Sequence, residues 1–328
     1  MTTSNFSGPL ADDLAGFLAR LRDAGAASAS WVKQLRTLDR FTQDRLLPLR
    51  TIDEATARAW LAPSATRGPN TMHGRYCLLR RFCRFLATHR PGTFIPGETL
   101  RPRQRPAAPP HIYSRDEIRL LLAGASTLRD WERGHPCRIR SKTMHGVILL
   151  LVTSGLRISE ALRLTLQDVD LDHGVLSIRQ TKFRKSRLVP VSSGTLAILR
   201  RYHDLRSSVV PSDPNGPFFI SGRKRAYSTA TITTIFHDIA VRAGIHPPKG
   251  RGPRLHDLRA TFAVTRLLLW YREGANVMAR LPMLTTYLGH ACVSDTEVYL
   301  PITTALLDEA NSRFHAFAED LLPPGGRP

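Results

Sequence analysis

Acidic residues are scarce in this 328-residue chain: 27 Asp plus Glu stand against 47 Lys plus Arg, a formal net charge of +20. Such an imbalance points to a polyanionic partner, although charge alone also fits a basic protein with no nucleic-acid role. Long apolar runs are missing too, none approaching the roughly 20 residues that cross a bilayer. The opening Met1-Thr2-Thr3-Ser4-Asn5 lacks the basic and apolar regions of a signal peptide. The expected compartment is the cytoplasm, with no membrane partner. The four cysteines, Cys77, Cys83, Cys137 and Cys292, form no Cys-x-x-Cys pair and no zinc-like spacing with histidine. They read as reduced thiols that mostly fill packing space. Neither a Walker-type glycine loop nor an acidic metal triad is present, so no metal site is expected.

Apolar periodicity fills the first part of the chain. Residues 9–24, with Leu10, Leu14, Phe17, Leu18 and Leu21, recur at the three-to-four spacing of an amphipathic helix. A second such pattern runs from Trp31 through Leu35, Leu38 and Phe41, and a shorter one covers 52–62. The fourth, 70–88, turns Leu79, Phe82, Phe85 and Leu86 to a core and leaves Arg75, Arg80, Arg81 and Arg84 largely free to face outward. Outward arginines on one helix suit phosphate contact; taken alone they equally suit a solvated basic face. Residues 91–112 then carry Pro91, Pro96, Pro102, Pro106, Pro109 and Pro110 among Arg101, Arg103 and Arg105. So much proline excludes an α-helix or a central strand, and a basic, semi-extended linker is expected.

A second pattern begins with Ser114-Arg115-Asp116-Glu117 ahead of Ile118, Leu121 and Leu122, the signature of a capped helix start. Residues 143–154 read as a buried helix that Gly155 ends, so that Arg157 opens the next. Strands are expected at Val175–Ile178, Leu188–Val191 and Phe218–Ile220, and helices at 195–205, 229–243 and from His256 to about Tyr271. The length suits two domains. Their expected limits are 8–90 (helical), 91–112 (linker), 113–320 (mixed) and 321–328 (a Pro-Gly tail).

The polar residues of the mixed part suggest one chemistry. A tyrosine hydroxyl, with a free pKa of about 10, attacks only an electrophile that nearby cations have already polarised. Tyr299 follows Leu288-Gly289-His290, and upstream lie Arg157 in Gly155-Leu156-Arg157-Ile158-Ser159-Glu160, Lys182 before Arg187-Leu188-Val189-Pro190, and His256-Asp257-Leu258-Arg259. Arginine forks can hold the non-bridging oxygens of a phosphate without losing charge. His256 and Arg259, three apart on a helix, share a face.

This ordered set resembles the tyrosine recombinases, or phage integrase family, over residues 110 to 320. The stretch from Leu281-Pro282 to Tyr299-Leu300 looks most like their transposon-borne and plasmid-borne branch. The resemblance implies a multidomain α and α+β protein: an all-helical N-terminal core-binding domain that clamps DNA, then a mixed α/β, mainly helical, catalytic domain. It implies a site-specific recombinase or integrase that cuts and rejoins double-stranded DNA through a 3′-phosphotyrosyl intermediate, moving or resolving a mobile element as a homo- or hetero-oligomer. Because the bond energy stays in the phosphotyrosine, no cofactor is implied. By the same resemblance Tyr299 is the nucleophile, Arg157 and Arg259 clamp the phosphate, and His256 accepts or shares the tyrosine proton. His290 donates to a phosphate oxygen, Lys182 protonates the leaving 5′ oxygen, and Glu160 orients a catalytic cation. Arg184, Lys185 and Arg187 are DNA contacts in the Lys182 loop and alternatives to it; Tyr287 is read as packing.

Two departures stand out. Trp270–Leu281 looks like an insertion or a lengthened helix, and Ala260 stands where many relatives carry His. Beyond Tyr299 an apolar helical pattern, Leu306, Leu307, Phe314 and Phe317, is expected to dock on a neighbouring protomer or on its own domain. The competing expectations are a silent DNA-binding protein of the same fold and a type IB topoisomerase-like activity.

Overall fold

A computed structural model describes residues 6–301 and 308, apart from 27, 28, 44, 46, 48, 49, 64, 65, 106–108, 130, 133, 134, 137, 138, 180–185 and 247–251. The expected apolar helix after Tyr299 lies outside the described residues, as does the tail. The chain divides into two compact units, one up to residue 108 and one from residue 109 onward.

The first unit is built from α1 (Ala11–Asp23), α2 (Ala29–Gln43), α3 (Glu54–Trp60) and α4 (Pro69–Leu86). Their apolar stripes meet in one cluster that includes Leu14, Phe17, Leu18, Leu35, Leu38, Trp60, Leu79 and Phe82. Caps set the local boundaries: the Asp53 carboxylate accepts from Thr56 N at 2.7 Å, and Pro69 starts α4 where a missing N–H costs nothing. Among its described residues the proline-rich stretch forms a single 3-10 turn, Glu98–Leu100. It lies against α4, with Tyr76 donating to Gly97 O at 3.1 Å and Arg105 N donating to Asn70 Oδ1 at 3.0 Å.

The second unit opens with α5 (Arg115–Ser126), whose Ser114 and Glu117 form the expected capping box. Then come the short hairpin β1 (Trp131–Glu132) and β2 (His135–Pro136), α6 (Arg140–Ser154), α7 (Ile158–Ala161) and β3 (Val169–Asp170). After these follow β4 (Val175–Ile178), β5 (Arg187–Pro190), α8 (Ser193–Val209), α9 (Thr229–Arg242), α10 (Asp257–Arg272), α11 (Val277–Leu288) and α12 (Ser294–Glu297). Strands β3, β4 and β5 form one antiparallel sheet with Leu176 opposite both Val169 and Val189. Alternation along β4 buries Leu176 and Ile178.

Helix α6 is the centre of this unit, packing against α5, α8 and α10. Met144, Val147, Ile148, Leu150 and Leu151 are all buried, which is why the stretch from Gly146 to Val152 is apolar throughout. At its end Gly155 takes φ +62°, and a Cβ there would sit 2.4 Å from Phe262 Cδ1. The chain therefore turns sharply and delivers Arg157 close against α10.

Two expectations need correction. Residues 218–220 are not a strand but a buried run held by isolated bridges, Thr165 to Pro217 and Ile220 to Ala226. Trp270–Leu281 is not one lengthened helix: α10 stops at Arg272, Gly274 turns with φ +72°, and Asn276 caps α11 by accepting from Ala279 N.

Candidate active site

The last carbonyls of an α-helix have no partner within it. At the end of α11 three arginines from three other segments take three consecutive carbonyls. Arg187 Nε, at the start of β5, donates to Tyr287 O at 2.7 Å. Arg259 Nη2, in the first turn of α10, donates to Leu288 O at 2.7 Å. Arg157 Nη2, ahead of α7, donates to Gly289 O at 2.9 Å. Cations here also meet the negative end of the helix dipole. Gly289 has φ +69°, and a Cβ on it would lie 2.8 Å from Arg187 Nη1, so a side chain here would push Arg187 away. Arg259 Nη1 reaches back to Gly155 O at 2.7 Å, tying both glycine turns to one guanidinium.

Glu160 holds two of these arginines together. Its Oε1 accepts from Arg157 Nη1 at 2.8 Å and from Arg187 Nη1 at 3.2 Å; its Oε2 accepts from Arg187 Nη2 at 2.8 Å and from Arg157 N at 3.0 Å. Burial works to raise its pKa, but the hydrogen bonds from Arg187 and Arg157 outweigh it and hold the carboxyl at about 2. The three side chains differ in openness: 29% for Arg157, against 11% for Arg187 and 1% for Glu160. Of this group Arg157 is the one able to meet a ligand. Arg259 is almost wholly buried, and that burial, followed by the charge of Arg157, lowers its pKa to about 10, with Tyr299 opposing.

Two imidazoles and a phenol complete the site. His256 stands at the N-cap of α10, exposed at its edge. Loss of solvation, then the charge of Arg259, lowers its pKa. His290, directly after the carbonyl triplet, pairs its Nδ1 with Thr296 Oγ1 at 2.8 Å. Burial, then Arg259 and Arg157, push its pKa down to about 4, so it is neutral at pH 7. Its ring stacks on Tyr299 with centroids 6.1 Å apart and planes 29° apart. Tyr299 packs in the apolar cluster of Leu284 and Leu288 and is 7% exposed; among the described residues nothing hydrogen-bonds its hydroxyl.

Of the sequence-predicted residues, Arg157, Glu160, Arg259, His290 and Tyr299 thus converge, with His256 within electrostatic reach. Lys182, Arg184 and Lys185 lie outside the described residues. Arg187 was expected to contact DNA, but its guanidinium turns inward to Glu160 and Tyr287 O, because a buried carboxylate and a helix end compete for it. Tyr287 packs as expected, stacked on Phe262 at 5.5 Å.

Two of the α4 arginines also depart from expectation. Arg75 is buried, its guanidinium 3.5 Å from the Trp60 ring centroid, since the helix face behind Tyr76 and Leu79 meets α3. Arg80 bonds Tyr76 and Glu98, while Arg81 and Arg84 do face outward. The sequence reading missed Thr285 and Thr296, buried hydroxyls behind His290. The one signal was the Thr296 spacing, three residues before Tyr299 and six after His290.

Residues 113–305 match the Phage integrase family. An integrase/recombinase of Sinorhizobium fredii, y4rE, is 41% identical over 244 residues, 74% of this chain and 76% of that protein. A second from the same organism, y4rB, is 36% identical over 80% of this chain and 84% of its own length. Among solved structures, the XerH site-specific recombinase bound to palindromic difH substrate, in a post-cleavage complex, superposes with a TM-score of 0.61 at 19% identity. That match covers 87% of this chain and 79% of XerH and shows a shared fold. No described helix is long and apolar enough to cross a membrane. A match over more than half of the chain, two curated relatives above 30% identity and the converging arginines, histidine and tyrosine have one explanation: the chain belongs to the phage integrase family, the tyrosine recombinases.

Proposed function

We propose that this tyrosine recombinase cuts and rejoins double-stranded DNA with Tyr299 as nucleophile and Arg157 and Arg259 as the cations facing the scissile phosphate. The observation that carries the reading is the carbonyl triplet of α11. It anchors a terminal nitrogen of each guanidinium immediately before His290, whose ring stacks on Tyr299. Donors fixed before the reaction need no reorganisation as charge develops, which is where electrostatic catalysis gets its strength.

The step balances without an outside reagent. The Tyr299 oxygen forms a bond to phosphorus as the bond to the 5′ oxygen breaks. The phenol proton passes to His256, whose pKa loss of solvation and then the charge of Arg259 lower, and Lys182 supplies a proton to the leaving 5′ oxygen. Glu160 positions Arg157. A 5′ hydroxyl from a second duplex reverses the step, so copies of the enzyme act together on DNA. The similarity to y4rE and y4rB supports an integrase or recombinase; in this reading it serves a mobile element and works in the cytoplasm, with Arg81 and Arg84 among the phosphate contacts of the first unit.

The test is covalent trapping on nicked or phosphorothiolate DNA carrying the ends of its own element. A denaturant-stable adduct with wild type that disappears in Tyr299→Phe is expected. Salt-sensitive DNA binding without an adduct, even after related recombinases are added, would leave a silent DNA-binding protein. Efficient supercoil relaxation by the isolated chain would favour topoisomerase-like activity.

A further inference from the structure

We propose that Arg75, together with Arg40 and Arg67, forms a pocket in the first unit that takes one phosphate group of the DNA backbone. This rests on the reading of the chain as an enzyme acting on DNA and names a place where the first unit holds a strand.

The observation is a cation without a counter-charge. Arg75 is 6% exposed, and its Nε is buried with no hydrogen-bond partner among the described residues. Folded proteins pair such groups, because a desolvated donor left without an acceptor is costly. The Trp60 ring centroid lies 3.5 Å from the guanidinium carbon and offers an electron-rich face, not an acceptor. Carboxylates of this unit are engaged elsewhere: Asp13 with His89 and Arg90, Asp39 with the amides of Ser7 and Gly8, Asp53 at the α3 cap, Glu54 with Arg58, and Glu98 with Arg80 and Arg101. Burial, then the charge of Arg67, lowers the pKa of Arg75 to about 10, so it stays charged at neutral pH.

The space beside Arg75 suits the missing anion. Arg75 lines a cavity of about 580 Å³ with Thr37 and Arg40 of α2, Trp60 of α3 and Arg67, and none of the described lining residues is acidic. Arg75 is fixed by burial, whereas Arg40 and Arg67 are exposed and free to swing onto a ligand. A phosphate has oxygens enough to accept from several guanidinium groups at once. Because Arg75 already covers the Trp60 face, the pocket has no ring on which to stack a base, and it reads charge instead of sequence. The cavity is larger than one phosphate and leaves room for the flanking sugars of a strand.

The test watches Arg75 itself. In full-length protein labelled with 15N-arginine, the Nε–H signal of Arg75 is identified by its loss in Arg75→Lys. Inorganic phosphate, exchanged for chloride at constant ionic strength, is expected to shift this signal saturably. A DNA duplex carrying the ends of the element should also shift it and abolish its response to phosphate. Arg40→Gln combined with Arg67→Gln changes only exposed side chains, and it should remove the phosphate shift while the Arg75 signal persists. That variant should bind the duplex about 10- to 100-fold more weakly at fixed salt, the range for hydrogen bonds to a charged group. Its slope of log affinity against log salt should fall by about 1. A signal indifferent to both phosphate and DNA, or a phosphate shift that survives Arg40→Gln with Arg67→Gln, overturns the proposal. A signal that moves with phosphate but not with DNA marks a site for free phosphate and overturns the assignment to the backbone. If DNA moves the signal while wild type yields no Tyr299-dependent adduct, the pocket stands and the reading of the enzyme fails; an adduct with a silent Arg75 signal has the opposite meaning.

Discussion

Arginine is used in two different ways in the two units of this protein. In the second unit Arg157, Arg187 and Arg259 are held by backbone carbonyls and by Glu160, each partner fixed by a helix end or a glycine turn. In the first unit the guanidinium groups lean on aromatic faces, Arg75 over Trp60 at 3.5 Å, Arg81 over Trp31 at 4.8 Å and Arg45 over Phe41 at 4.1 Å. Hydrogen bonds fix direction as well as distance, whereas a ring face accepts a cation over a range of positions. The first arrangement suits chemistry, in which a donor must meet a developing charge. The second suits affinity for a polyanion, in which register tolerance is an advantage.

The sharpest test of the contrast is Arg259→Lys. An ammonium cannot span Gly155 O and Leu288 O, both 2.7 Å from separate nitrogens of the fork, and still face a phosphate. Covalent adduct formation should fall by about 10²–10³-fold, the usual effect of removing a preorganised donor, while DNA affinity at fixed salt changes little. Adduct yield per folded molecule, with folding checked by circular dichroism, measures it. An equal loss of affinity would mean that the two units do not divide the work in this way.

How much of this could be read beforehand follows the same division. Residues that speak through their own local context were legible: the capping box at Ser114, Gly155 before Arg157, and the Leu288-Gly289-His290 turn. Four-helix periodicity in the first unit was legible for the same reason, since one stripe per helix meets one core. Partners distant in sequence were not. Arg187 reads as another basic residue of a basic loop, and only the approach of β5 to the end of α11 gives it Glu160 and Tyr287 O. The burial of Arg75 was equally hidden, because its neighbour Trp60 belongs to a separate helix. The break at Gly274 was missed because apolar residues on both sides continue the helical pattern.

Glu160→Gln probes the anchored arginines through pH. A carboxyl held at about 2 against an ordinary value of 4.5 stabilises the fold above pH 4.5 and loses that contribution as pH falls toward 2. The shift corresponds to about 3 kcal/mol at neutral pH. The variant should therefore unfold more easily than wild type at pH 7, by about 2–3 kcal/mol, and approach wild type near pH 2. Chemical denaturation at the two pH values measures this. A constant gap would show that Glu160 acts through shape and not through charge.

On the aromatic side the expected effects are smaller and of another kind. Arg75→Ala removes a buried guanidinium from the Trp60 face, where burial and then the charge of Arg67 lower its pKa to about 10. A loss of about 1–2 kcal/mol in stability is expected, the range for a desolvated cation–π contact. Arg84→Ala, fully on the surface, should leave stability within about 0.5 kcal/mol. It should still reduce the slope of log affinity against log salt by about 1, as one lost phosphate contact does. Filter binding over a salt series separates the two. If Arg84→Ala leaves the slope unchanged, the exposed face of α4 is solvated surface and takes no part in the grip on DNA proposed for the first unit.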